Sequence, residues 1–111
     1  SLDQVVSVAL QYTGVPYRYG GADPSGFDCS GYVMFVYAQF GIALPHSAAG
    51  IGVSGTPIAT SDALPGDIVI MPGHTGIYMG DGNFIDSGDY GDLIHVRPIY
   101  DSNYYIVRVG I

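Results

Sequence analysis

Residues 26–41, Gly-Phe-Asp-Cys-Ser-Gly-Tyr-Val-Met-Phe-Val-Tyr-Ala-Gln-Phe-Gly, constrain this chain more than any other stretch. Tyr32, Val33, Phe35, Val36, Tyr37 and Phe40 recur at the spacing of a helix that buries one broad face. Asp23-Pro24-Ser25-Gly26 cannot continue a helix, so it reads as the loop before this one, and Gly41 closes the helix as a C′ glycine would. The only cysteine, Cys29, therefore falls at the start of a buried helix. Unpaired backbone N–H groups and the positive end of the helix dipole there stabilise negative charge on sulfur. Most single cysteines are inert packing residues. A nucleophile needs partners, and the rest of the chain has to supply them.

A chain of 111 residues is one domain with a single core, and 48% hydrophobic with 12% charged residues excludes disorder. No apolar run reaches transmembrane length, and no secretory leader pattern is present. The chain opens almost at once in a helix-like stretch, which suggests a domain cut from a longer protein. Ten Asp against three Arg (Arg18, Arg97, Arg108), with no Lys or Glu, give a net charge of −7. Without a basic stripe, nucleic-acid binding is excluded. An acidic surface is compatible with ligands that carry amino groups, and also with plain solubility. One cysteine with His46, His74 and His95 scattered along the chain has no zinc-site spacing, so no metal and no cofactor is expected.

Residues 2–12 read as a first helix ended by Gly14 and Pro16. Val15-Pro16-Tyr17-Arg18-Tyr19-Gly20-Gly21 is an extended lead into the cysteine loop. A short helical turn is expected at 47–51 and a surface loop over 50–61. Ile68-Val69-Ile70-Met71 is a buried strand after the Pro65-Gly66-Asp67 turn. His74-Thr75-Gly76-Ile77-Tyr78-Met79 and Phe84-Ile85-Asp86-Ser87 flank Asp81-Gly82, a hairpin signal because a two-residue primed turn needs positive φ. The hairpin brings His74 and Asp86 to the same edge of the sheet. Residues 93–97 and 104–109 are further strands, so helices precede an antiparallel meander: an α+β fold. A cysteine at a helix start, with a histidine and a carboxylate on neighbouring strands, is the pattern of nucleophile, base and orienter.

The motifs 15–21, Gly26-Phe27-Asp28-Cys29-Ser30-Gly31, Gly41-Ile42-Ala43-Leu44-Pro45, Pro65-Gly66-Asp67 and His74-Thr75-Gly76-Ile77-Tyr78-Met79-Gly80 together resemble the NlpC/P60 cysteine peptidases, in order and over nearly the whole chain. The resemblance implies one NlpC/P60 domain over residues 1–111, a papain-like fold and an extracytoplasmic cell-wall setting. It also implies hydrolysis of peptidoglycan stem peptides, in many members between γ-D-glutamyl and meso-diaminopimelate. It makes Cys29 the nucleophile and His74 the base. Asp86 takes the third polar position, where many members carry His and others a carboxylate or amide. Tyr17 falls on the family tyrosine near the oxyanion site. Asp28 and Ser30 match positions that in some members bind a free substrate amine. Tyr19 replaces a usual Trp, His46 stands where Arg is common, and Ile51 where Gln is frequent; Tyr19 and His46 are thus candidate groove residues on which substrate preference depends. Two other readings suit the same scaffold: a catalytically silent wall-binding module, and an acyl transferase or effector amidase.

Overall fold

The computed structural model describes residues 1–110. Ser1 and Gln4 form a reciprocal capping box that starts helix α1 (Leu2–Leu10), which buries Val5 and Ala9. The helix stops at Leu10 rather than Tyr12, and turns carry the chain to Gly14 at φ 91°. Strands β1 (Ala22–Asp23) and β2 (Gly26–Phe27) make a small ribbon around the expected Pro-Ser turn. The ribbon delivers the chain into α2 (Cys29–Ala38). The Asp28 carboxylate caps α2 by accepting the Gly31 N–H at 2.6 Å. Gly41 follows two residues after the Gln39 C-cap, at φ 76°. Helix α3 (Ala48–Gly52) is capped by the Ser47 hydroxyl.

The loop expected over 50–61 contains a strand, β3 (Thr56–Ile58), followed by a 3-10 turn at Thr60–Asp62. Its largely exposed Thr-Pro-Ile has no apolar alternation, and Pro57 is tolerated because β3 is an edge strand. Strands β4 (Ile68–Met71), β5 (His74–Gly80), β6 (Asn83–Asp86) and β7 (His95–Pro98) form the expected meander. The last strand, β8 (Tyr105–Arg108), does not extend it beyond β7 but returns to pair with β4, giving the order β3-β8-β4-β5-β6-β7. Burial explains the crossing. Ile106 and Val107 point to opposite faces and are both fully buried, so β8 needs an interior place, whereas β7 is mostly exposed and suits an edge.

Helices α1 and α2 cover one face of the sheet, where Val5, Tyr32, Val33, Val36 and Tyr37 meet Ile68, Ile77, Ile85 and Val107. Each such side chain contributes about 1.5–3 kcal/mol on burial. The buried tyrosines keep their hydroxyls satisfied: Tyr32 donates to the Ala9 carbonyl and Tyr37 to that of Gly66. A smaller cluster of Val69, Met71, Phe84 and Ile106 packs on the other face. Asp81 (φ 54°) and Gly82 (φ 77°) form the primed turn between β5 and β6. Tyr78 pairs with Phe84 and Gly80 with Asn83, so Met79 is an unpaired bulge residue.

Candidate active site

Strand alternation places the polar residues. Ile77 pairs with Ile85 and Tyr78 with Phe84, so His74 and Gly76 share a face with Phe84 and Asp86. Gly76 stands between them. A Cβ at this position would lie 2.5 Å from Phe84 Cδ2 and 3.0 Å from Asp86 Cβ, so only glycine lets the two strands bring His74 and Asp86 together. His74 Nε2 donates to Asp86 Oδ2 at 2.7 Å, and both residues are buried. Phe84 packs edge-on to the histidine ring at 6.0 Å, and Tyr100, beyond β7, leans on it from the same distance.

The Cys29 sulfur lies close enough to the same ring to raise its pKa, and with Nε2 committed to Asp86 the nitrogen left to face sulfur is Nδ1. Burial alone would lower the His74 pKa. The hydrogen bonds to Asp86 and Cys29 and the charges of both override it, raising the value to about 9. Burial likewise pushes Asp86 up, but the bonds from His74 and Arg97 and their positive charges hold it below the ordinary carboxylate range. At neutral pH the arrangement is thus a buried carboxylate against an imidazolium, with the half-buried Cys29 sulfur beside the ring. Gly31 belongs to the same construction. A Cβ there would overlap the Gly21 carbonyl, so Asp28-Cys29-Ser30-Gly31 admits no side chain at its last place.

Cys29 and Ser30 open onto a cleft of about 560 Å³, walled by Ser47 to Ala49, by Ile70 to Gly73, and by Asn103 and Tyr105. The remaining sequence candidates lie around it unevenly. Asp28, besides capping α2, receives His46 Nε2 at 2.8 and 2.9 Å, and the Ser30 hydroxyl reaches it at 3.5 Å. Tyr17 is half-buried with its ring 5.1 Å from Tyr90. Burial raises its pKa first, then the charges of Asp28, Tyr90, Cys29 and Asp89, which puts its hydroxyl within electrostatic reach of the thiol. Tyr19 is 77% exposed and is not among the cleft-lining residues.

Sequence reasoning missed Arg97. Its Nε and Nη2 donate to Asp86 Oδ1 at 2.9 Å and Oδ2 at 2.6 Å, and its guanidinium lies over the Phe84 and Tyr100 rings at 5.7 and 4.7 Å. A signal was available in the composition. Three arginines against ten Asp make each cation a candidate for a specific carboxylate, and the alternation of a strand over 93–97 carries Arg97.

A sequence model described as the NlpC/P60 family matches residues 14–109. The "Probable endopeptidase" of Mycobacterium tuberculosis strain H37Rv is 46% identical over 110 residues, covering 91% of this chain and 29% of the relative. The "Probable endopeptidase p60" of Listeria monocytogenes is 39% identical over 99 residues, covering 82% and 20%. This chain therefore spans less than a third of the length of the curated relatives it matches. Among solved structures, the NlpC/p60 domain of the peptidoglycan hydrolase SagA superposes with a TM-score of 0.89 at 33% identity, covering 98% of this chain and 99% of that one. RipD of M. tuberculosis, described as a non-catalytic NlpC/p60 domain protein adapted to peptidoglycan binding, gives 0.83 at 28% identity, covering 97% and 96%.

Proposed function

The chain belongs to the NlpC/P60 family, and from that premise we propose that it is the catalytic domain of a longer extracytoplasmic protein, a cysteine endopeptidase that cuts peptidoglycan stem peptides. One observation carries this reading: the lone thiol at the start of α2 meets a histidine whose other nitrogen is fixed by a buried carboxylate. In this reading His74 holds the proton of the Cys29–His74 pair as imidazolium beside a thiolate, while Asp86 fixes the ring's tautomer and stabilises its charge. The thiolate attacks the scissile carbonyl. The Cys29 N–H, at the first helical position and so without an intrahelical acceptor, and the Tyr17 hydroxyl stabilise the oxyanion. His74 protonates the leaving amine, and water then resolves the thioester. The bond assigned is that between γ-D-glutamyl and meso-diaminopimelate. Asp28 and Ser30, with His46 beside them, face the free amine of the stem peptide; an ammonium arriving there shares a carboxylate that already caps α2.

Mass spectrometry of muropeptides after digestion, beside a Cys29→Ala control, tests the reading. Cleavage products from the parent and none from the variant are expected. Binding without cleavage by the parent would move the chain to the class that RipD represents, a wall-binding domain. No helix among the described residues is long and apolar enough to cross a membrane.

A further inference from the structure

The oxygen of Asp86 that accepts from His74 is one that Arg97 also occupies. Oδ2 takes His74 Nε2 at 2.7 Å and Arg97 Nη2 at 2.6 Å, while Oδ1 takes Arg97 Nε at 2.9 Å. A carboxylate gripped by a guanidinium fork has a fixed plane and has given part of its charge away. The fork is itself held. Arg97 pairs opposite Phe84 in the sheet, its guanidinium rests on the Phe84 and Tyr100 rings, which pack against each other, and Asp92 lies near enough to act on its charge.

From this geometry we infer that Arg97 is a positioning residue for proton transfer: it orients Asp86 toward His74 and weakens its hold on the imidazolium, so that the ring can release its proton to the leaving amine. The inference rests on the peptidase reading above. Its physical basis is a competition. A fully charged, desolvated carboxylate bonded to histidine alone makes an imidazolium that is stable but reluctant to act as an acid. A neutral Arg–Asp pair remains an acceptor without the full counter-charge. The charged and titratable groups around the assembly come from every packed element. Cys29 and Tyr32 come from α2, His74 from β5, Asp86 from β6, and Asp92, Arg97 and Tyr100 from the strand β7 and its flanks.

The test is an NMR titration of the His74 ring, identified by the resonance lost in His74→Gln, in the parent, Arg97→Gln and Arg97→Lys. It needs no substrate. Failure of the peptidase reading would appear separately, as absence of muropeptide products from the parent. Arg97→Gln is expected to move the His74 titration to higher pH by roughly half a unit or more. It should also lower kcat about tenfold with KM little changed. Arg97→Lys restores the cation but not the fork: its titration should return to the parent's position while kcat stays severalfold low. A His74 titration in Arg97→Gln that coincides with the parent's or moves down overturns the inference, even if the unfolding temperature drops, because an ion pair serving only the fold would give that result. If Arg97→Gln does not fold, Arg97→Lys decides: parental kcat in that variant means the fork has no part in the chemistry.

Discussion

The molecule contains two nearly identical ion pairs, and only one of them faces the thiol. Arg97 grips Asp86 and Arg108 grips Asp67, each through Nε and Nη2, at 2.6 to 2.9 Å in the first and 2.8 Å in the second. In both, the carboxylate side chain is fully buried and the arginine about a quarter exposed. They differ in what else the carboxylate accepts. Asp67 Oδ2 takes the backbone N–H of Leu64, which closes the Pro65-Gly66-Asp67 turn and ties it to β8. Asp86 Oδ2 takes a histidine that in turn meets Cys29. A buried Arg–Asp fork is thus no sign of chemistry by itself. A titratable third partner that also meets a thiol is what separates the Asp86 pair from the Asp67 pair.

Substituting the two aspartates should separate the pairs most widely. Asp86→Ala is expected to reduce turnover a hundredfold or more, since the ring loses the acceptor that sets its tautomer. Asp86→Asn, which keeps an acceptor without charge, should fall between it and the parent. Parental turnover by Asp86→Ala in a muropeptide assay would make Asp86 as architectural as Asp67. Conversely, Asp67→Ala should leave turnover of the folded protein unchanged but cost about 3–5 kcal/mol in urea unfolding, because a fork and a backbone N–H lose their partner together. A loss below 1 kcal/mol would show that Arg108 turns out to solvent at little cost.

A smaller effect sharpens the comparison by pH. The His74 pKa is raised from 6.5 to about 9, so the stability its charge contributes is complete below pH 6.5 and is lost as pH rises through 9. Asp86 is shifted down, so its contribution is present above the ordinary carboxylate pKa and disappears as pH falls through the depressed one. Urea midpoints should therefore fall between pH 6.5 and 9.5 in the parent and hold nearly level in His74→Gln. The Asp67–Arg108 pair contains no histidine, so Asp67→Ala should keep the parent's alkaline slope. A slope that survives in His74→Gln would place its origin elsewhere.

The smallest expected effect lies at a third pair, His46 with Asp28, which is partly open to solvent. His46→Gln should change stability by no more than about 1 kcal/mol and appear instead as a modest rise in KM for stem peptides with a free amino terminus. An unchanged KM would leave His46 without a part in holding the substrate amine.

The unequal legibility of the two pairs explains what the sequence disclosed. Cys29 at a helix start, His74 and Asp86 across a hairpin, and α2 itself were readable because each rests on local chemistry: a turn before a helix, a primed turn between apolar runs, a period of 3.6. Arg97 and Arg108 were visible only as strand residues. Their partners depend on which strands become neighbours, and β8 pairs with β4 across 41 residues between Asp67 and Arg108. For the same reason β3 looked like loop. Its order comes from an edge it joins, not from its own Thr-Pro-Ile. The cleft wall supplied by Asn103 and Tyr105 was equally hidden, since the return of β8 is what carries that segment to Cys29.

The bulge at Met79 has a bearing on how this chain can change length over generations. The primed turn sets one register, Gly80 against Asn83, and the site uses another, Ile77 against Ile85; Met79 is the odd residue that reconciles them. Losing that one codon would leave a regular ladder with His74 and Asp86 still on one face. Gaining a codon in β6 beyond Phe84, with the turn kept, would instead turn Asp86 away from the histidine. Descendants of this gene can therefore shorten the hairpin at Met79 by a single step, whereas length added between the turn and Asp86 has to come in pairs or be taken up by a second bulge.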